Sequence, residues 1–301
     1  MAQILIALSP LLALIIGGNV LKKIGFLSEG FWSGAEKLNY YVLFPAMLFA
    51  NLATATIHFD MIKRIIIIVI LVLAIACIVL YSIRYIRKTD TARFGVYMQS
   101  IVRFNPYMGL AIVTALLGQQ GMTVLAIILV MCIPMVNVLS VLALTHQEGM
   151  DVRSIFRLLL KNPLIMACIV GIAFNFSGLN MWTGFADLIQ QLGMSSLPLG
   201  LLCVGAALQF TELKEEIGVL FLNTFARLLI MPALAYMVCT LLHLSVLETQ
   251  VMVVFFALPT ASASYILTKV LGGDHQLMAG VISLQTLCSV LTLPIVLLWV
   301  I

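Results

Sequence analysis

Ten apolar stretches, each long enough to cross a bilayer as a helix, follow one another along this chain. They cover residues 3–21, 38–57, 65–83, 94–117, 122–144, 162–180, 188–211, 217–242, 249–268 and 276–301. A helix needs roughly 20 apolar residues to span the hydrocarbon core. The connections are short and leave no room for a separate soluble domain. Composition agrees: 63% of the residues are hydrophobic and 9% charged, where soluble domains carry about 45–50% and about 25%. In hydrocarbon every backbone polar group must be satisfied internally, and segments of this length do so as helices. The expectation is an all-α polytopic membrane protein with ten transmembrane helices, multi-pass in the inner (plasma) membrane. The first stretch lacks a basic n-region, and Lys22 and Lys23 follow it with no small-residue cleavage site. It reads as a retained helix rather than a secretory signal.

Lys and Arg set the orientation. With the N-terminus outside, the inner connections hold Lys22, Lys23, Lys37, Arg84, Arg87, Lys88, Arg93, Arg153, Arg157, Lys161, Lys214 and Lys269, and the outer ones only Lys63 and Arg64. Twelve against two predicts that both termini face out. Arg103 and Arg227 lie within stretches.

The chain also repeats. A shift of 153 residues carries Gly18 onto Gly171, Gly25 onto Gly178, Pro45 onto Pro198 and Pro106 onto Pro259, and it superimposes the apolar stretches. Residues 1–150 then form one five-helix repeat and residues 151–301 a second. An odd number of spans makes the second enter from the opposite side, giving an inverted repeat.

Pro106 and Pro259 fall in the middle of the fourth and ninth stretches, at corresponding positions. Proline removes a backbone donor and clashes with the preceding turn. Each stands beside residues able to satisfy broken backbone: Asn105, Tyr107 and Gly109 in "SIVRFNPYMGL", and Thr260, Ser262 and Ser264 in "LPTASASY". Broken helices at matching positions of inverted repeats point to a transporter's binding site, and their half-helix N-termini suit anions. Pro45 and Pro198, in more apolar surroundings, read as kinks beside the site.

Arg103 lies about ten residues into its stretch. A charge near mid-depth costs about 2.5–3.5 kcal/mol on insertion scales and marks function by default. Its guanidinium fork matches a carboxylate. The competing reading is a bond to carbonyls freed at the break, or a snorkel to the inner face. For Arg227, one turn before Pro232, structural pairing is expected. Asn39, Asn51, Asn137, Gln285 and Ser289 are lower-ranked polar residues, for which helix–helix hydrogen bonds are the usual account.

Nothing here reads as an enzyme. "LGGD" (271–274) lacks the facing carboxylate that an intramembrane aspartyl protease requires. GxSxG, HExxH, Walker and GxGxxG motifs are absent. The four histidines and six cysteines are scattered without metal-ligand spacing, so no metal or cofactor is expected. The acids sit in connections or near stretch ends, with Asp187, Glu212, Glu248 and Asp274 nearest. A carboxylate proton switch at the crossover is not expected, and a sodium ion would be repelled by Arg103. Potential-driven exit of an anion fits, favoured by about 2.3 kcal/mol per charge at 100 mV.

Several segments, in this order, resemble the auxin efflux carrier family of the bile/arsenite/riboflavin transporter superfamily. They are "IIGGNVLKKIGFLS", "LNYYVLFPAMLFANLA", "NPLIMACIVGIAFN", "SSLPLGLLCVGAAL" and "ALPTASASYILTKVLGGDHQLMAGVISLQTLCSVLTLPI". The resemblance covers nearly the whole chain. It implies a five-plus-five inverted repeat whose broken fourth and ninth helices cross, with a small organic anion beside the crossing. It marks Asn105-Pro106 and Pro259-Thr260 as the crossover, with Asn39 nearby. Many members read Gly-Asn-x-Gly in the fourth helix where this chain has "RFNPYMG", so Arg103 is not inherited from that pattern.

The expected function is a permease for a small organic anion, such as a malate-like dicarboxylate or an auxin-like acid, working by efflux and alternating access. The expected substrate-binding residues are Arg103, Asn105, Pro106, Tyr107, Gly109, Pro259, Thr260, Ser262, Ser264 and Asn39. The partners are that anion and the lipid bilayer, with a homodimer left open and no nucleic acid. The alternatives are a sodium-coupled bile-acid-type symporter, or a channel or sensor of the same fold.

Overall fold

The computed structural model describes residues 2–55, 59–144, 163–208 and 217–301. The repeat boundary at 150/151 lies outside them, as do Arg153, Arg157, Lys161 and Lys214 of the charge count, together with His58, His146 and Glu212.

Among the described residues every regular element is helical. In chain order these are α1 (Ala2–Lys23), α2 (Glu29–Leu38), α3 (Phe44–Ala53), α4 (Phe59–Arg87), α5 (Thr91–Val102), α6 (Pro106–Leu144), α7 (Pro163–Ser177), α8 (Thr183–Ala207), α9 (Ile217–Phe225), α10 (Met231–Leu241), α11 (Val246–Ala257), α12 (Ala263–Val270) and α13 (His275–Val300). Five helical runs have the length and apolar composition to cross a membrane, and α7 and α11 are shorter apolar helices. The starts are capped locally. Ser28 accepts from Phe31 N at α2, Asp90 from Arg93 N at α5 and Asp274 from Leu277 N at α13.

Two wide π-turns interrupt the regular pattern. Asn39–Leu43 joins α2 to α3, and Ala226–Ile230 joins α9 to α10. Each is followed by a helix with proline in its first two positions, Pro45 and Pro232. A proline ring collides with the carbonyl four residues before it, and the wider turn moves that carbonyl aside. At Gly118 (φ 60°, ψ −157°) the backbone leaves the helix and divides α6. That φ lies in the left-handed region, which glycine enters at little cost.

The helices pack as two sets. In one, α3 lies against α7 and α8, and α1 and α2 lie against α8. In the other, α11 packs on α6, α10 and α13, while α4 and α5 pack on α6. The long α6 also touches α1, α3, α7 and α8, bridging the sets. On α4 the stripe Ile65, Ile68, Val69, Val72, Leu73 and Ala76 is buried, while Ile67, Ile70, Leu71, Ile78 and Val79 stand exposed. A helix apolar on both faces buries one in protein and gives the other to lipid. Between α1 and α8 the backbones touch: a Cβ on Gly18 would strike the Leu202 carbonyl, and one on Gly205 the Ile15 carbonyl.

Candidate functional site

α5 stops at Val102, and Arg103 continues as extended chain (φ −81°, ψ 150°). α6 restarts at Pro106. Asn105 makes the restart, because its Oδ1 accepts from Tyr107 N (3.1 Å) and Met108 N (3.3 Å). An Asn cap followed by proline at the first helical position is a strong local start signal. The second break is similar. α11 stops at Ala257, Leu258 is extended (φ −68°, ψ 141°), and α12 begins at Ala263. The breaks meet where Asn105 N donates to the Pro259 carbonyl at 2.8 Å. Irregular backbone is thus buried in protein, as a membrane requires.

Two polar side chains hold the crossing. Arg227, fully buried on the second π-turn, donates from Nε to the Leu258 carbonyl (2.8 Å) and from Nη1 to the Ile101 carbonyl (2.5 Å). One cation therefore meets the C-terminal ends of both α5 and α11, where the helix dipoles are negative. Gln285 on α13 serves the other side. Its Oε1 accepts from Thr260 N at 2.9 Å. The Thr260 hydroxyl lies 2.7 Å from that Oε1 and 2.8 Å from the Ser100 carbonyl, with one proton to share. Gln285 Nε2 donates to Asn223 Oδ1 at 3.0 Å, and Asn223 Nδ2 to Ser100 Oγ at 2.7 Å.

Beside the crossing lies a cavity of about 620 Å³. Arg103, Asn105, Pro106, Tyr107 and Ser262 line it, with an aromatic wall that includes Tyr40, Phe44 and Phe104. The Phe44 and Tyr107 rings stand 5.2 Å apart. Lys37 and Val270, both exposed, also line the cavity. Arg103 is only partly exposed, and its Nη1 is buried with no hydrogen-bond partner.

The remaining candidates do not line this cavity. Asn39 is fully buried against α8, donating to the Ser196 carbonyl (3.0 Å) and accepting from Ser196 Oγ (2.8 Å). It touches the site indirectly, since a Cβ on Gly200 would press on both Asn39 Nδ2 and the Tyr107 ring. Gly109 packs against Leu258. Pro259 and Thr260 are taken up in the crossing itself. Ser264 is buried with its hydroxyl unpartnered, and its carbonyl accepts from Thr268, which accepts from Gln99.

Sequence reasoning missed Glu36, while Gln285 makes the helix–helix hydrogen bonds expected of it. Glu36 stands two residues before the second stretch, yet it lines the cavity. Its burial pushes its carboxyl pKa up. The available signal was its spacing, one helical turn before Tyr40. Among the described residues no three His, Cys, Asp or Glu side chains converge as a metal site would require.

The arrangement offers an anion a charged donor rather than backbone amides. The α6 amides that would face an anion are already bound by Asn105. Arg103 keeps a free donor beside the void.

Two comparisons bear on this geometry. The model of a family described as "Membrane transport protein" matches residues 3–297. An uncharacterized transporter of Methanothermobacter thermautotrophicus is 24% identical over 287 residues, covering 94% of each chain.

Proposed function

This chain belongs to the membrane transport protein family, the auxin efflux carriers, and we propose that it is a permease for a small organic carboxylate anion. The observation that carries the reading is the unpartnered Arg103 guanidinium in a cavity beside two crossed helix breaks. A bidentate pair with a carboxylate would give that buried donor its missing partner. Placement at the crossing favours substrate contact over a purely structural role, because the freed carbonyls are served by Arg227 instead.

The ten spans, the inverted five-plus-five repeat at 1–150 and 151–301, and the outward termini belong to the same proposal. So does residence in the inner membrane. In this orientation Lys37 and Val270, which line the cavity, lie on the inner side, which supports loading from inside and efflux as the proposed direction. The two sets of helices supply the bodies that alternate access requires.

Solid-supported-membrane electrophysiology on proteoliposomes tests this reading. Mono- and dicarboxylates, indole acids and bile acids are applied to wild type and to Arg103→Gln. The expected result is a saturable response to a carboxylate, weakened about tenfold or more in the variant, since hydrogen bonds to charged groups are worth about 1.5–3 kcal/mol. An equal response in the folded variant overturns the role of Arg103. Non-saturating currents above carrier turnover would make the protein a channel.

A further inference from the structure

The cavity has a second charged pole that an anion alone does not explain. Glu36 shares its wall with Arg103 and also lines a smaller cavity of about 160 Å³, together with Lys22, Ser262 and Tyr265. A carboxylate on the wall repels a simple anion, so its presence needs a physical account.

The charged groups around Glu36 do not neutralise it. Lys22 on α1 is engaged with Glu29 at 3.3 Å. Lys37, the exposed sequence neighbour of Glu36, also lines the cavity but makes no ion pair with that carboxylate. Among the described residues no cation lies within ion-pairing distance of Glu36. Tyr40 and Tyr107 line the same cavity and carry no cation. Desolvation with no partner costs the charged form of the carboxyl, and burial raises its pKa accordingly. A cation from the ligand would reverse that cost.

Arg103 is the complementary case, a guanidinium with a buried unpartnered nitrogen on the same cavity. Tyr40, one helical turn beyond Glu36, lines the same cavity. Residues one turn apart on a helix sit about 5–6 Å from each other. Both poles line the one cavity of about 620 Å³, together with Tyr40, Phe44 and Tyr107.

We infer that the substrate is an amino-carboxylate, its carboxylate held by Arg103 and its ammonium by Glu36. This rests on the proposal that a carboxylate meets Arg103, and it narrows that class. An acidic amino acid satisfies both statements, since it keeps a net negative charge while carrying an ammonium group. Glu36 sets specificity by rejecting carboxylates that lack the amine: they leave its charge buried and unpaired beside their own.

Matched ligand pairs that differ only in the amine test the inference. Succinate is compared with aspartate, butyrate with γ-aminobutyrate, and phenylpropionate with phenylalanine. The readouts are ligand-induced thermal stabilisation of the purified protein and uptake into proteoliposomes. In wild type the amine-bearing member of at least one pair should bind about tenfold tighter or better, as a charge-assisted bond requires. Glu36→Gln should erase that ratio and leave the carboxylate-only member bound as well or better. Arg103→Gln should weaken both members. Asp187→Asn, an exposed carboxylate outside both cavities, should leave the ratio intact. Equal or tighter binding of the amine-free members in wild type overturns the inference while sparing the carboxylate permease, and it does so even where Glu36→Gln does not fold. A ratio unchanged in a folded Glu36→Gln protein overturns it too. Failure of every carboxylate in all three pairs, together with indifference to Arg103→Gln, would instead overturn the permease reading beneath it.

Discussion

Arg227 Nε donates to the Leu258 carbonyl at 2.8 Å, at the point where α11 ends inside the protein. The same guanidinium reaches the Ile101 carbonyl at the end of α5. A helix end in an apolar interior leaves carbonyls without partners, and here one side chain serves both. Arg227→Met keeps the length of the side chain and orphans both acceptors, at about 1–3 kcal/mol each. The expected outcome is a lower unfolding temperature in detergent and loss of transport. Arg227→Lys, with a single compact charge, should recover only part of either. Unchanged melting in Arg227→Met would show that the crossing is held by other contacts.

Gln285 should matter as much from the opposite side. Gln285→Leu leaves Thr260 N and Asn223 Oδ1 without the partners they have now. Each buried orphan costs about 1–3 kcal/mol. Lower thermal stability and lost flux are expected, whereas Asn51→Ala, whose Nδ2 serves the Met47 carbonyl on its own helix and whose Oδ1 accepts from the exposed Gln119, should be milder. Melting curves of the two variants side by side decide this.

Gly205→Ala should separate α1 from α8. The added methyl would enter the space of the Ile15 carbonyl, and backbone cannot yield as a side-chain tip does. Overpacking of this kind costs about 1–3 kcal/mol and occasionally more. Gly218→Ala meets nothing within 4 Å and should be neutral. Reduced yield and stability of the first variant alone is the expected pattern.

Glu248 gives stability an acid limit. It lies one residue before the ninth apolar stretch, where burial pushes its pKa up. Bonds from the Ser245 hydroxyl and amide and from Arg64 outweigh that, so the net pKa lies below the ordinary carboxylate value. A depressed folded pKa means stability that is present above the unfolded value and lost as pH falls through the folded one. Melting temperature in wild type should therefore drop as pH falls from the ordinary carboxylate range through the lower folded pKa. Glu248→Gln should be less stable near neutrality and lose less on acidification. Parallel pH profiles for the two proteins would contradict this role.

The sequence by itself determined the solvent and the helical class, because a run of about 20 apolar residues has few alternatives in hydrocarbon. It also marked both breaks: proline beside Asn105 and proline beside Thr260 are local signals, and each helix stops within a few residues of them. It placed Arg103 near mid-depth but left clamp and structural bond equally open. Only the tertiary structure showed that Arg227, 124 positions away, takes the freed carbonyls and leaves Arg103 Nη1 unpartnered. Asn39 carried the same sequence signal as Asn105, an amide in an apolar stretch, yet it is spent on Ser196. Glu36 looked like a connection residue until α6, α8 and α12 were brought around it. Periodicity and breakers act between neighbours along the chain, so they can be read in sequence. A buried polar group's partner depends on which distant helix faces it, and packing in three dimensions decides that.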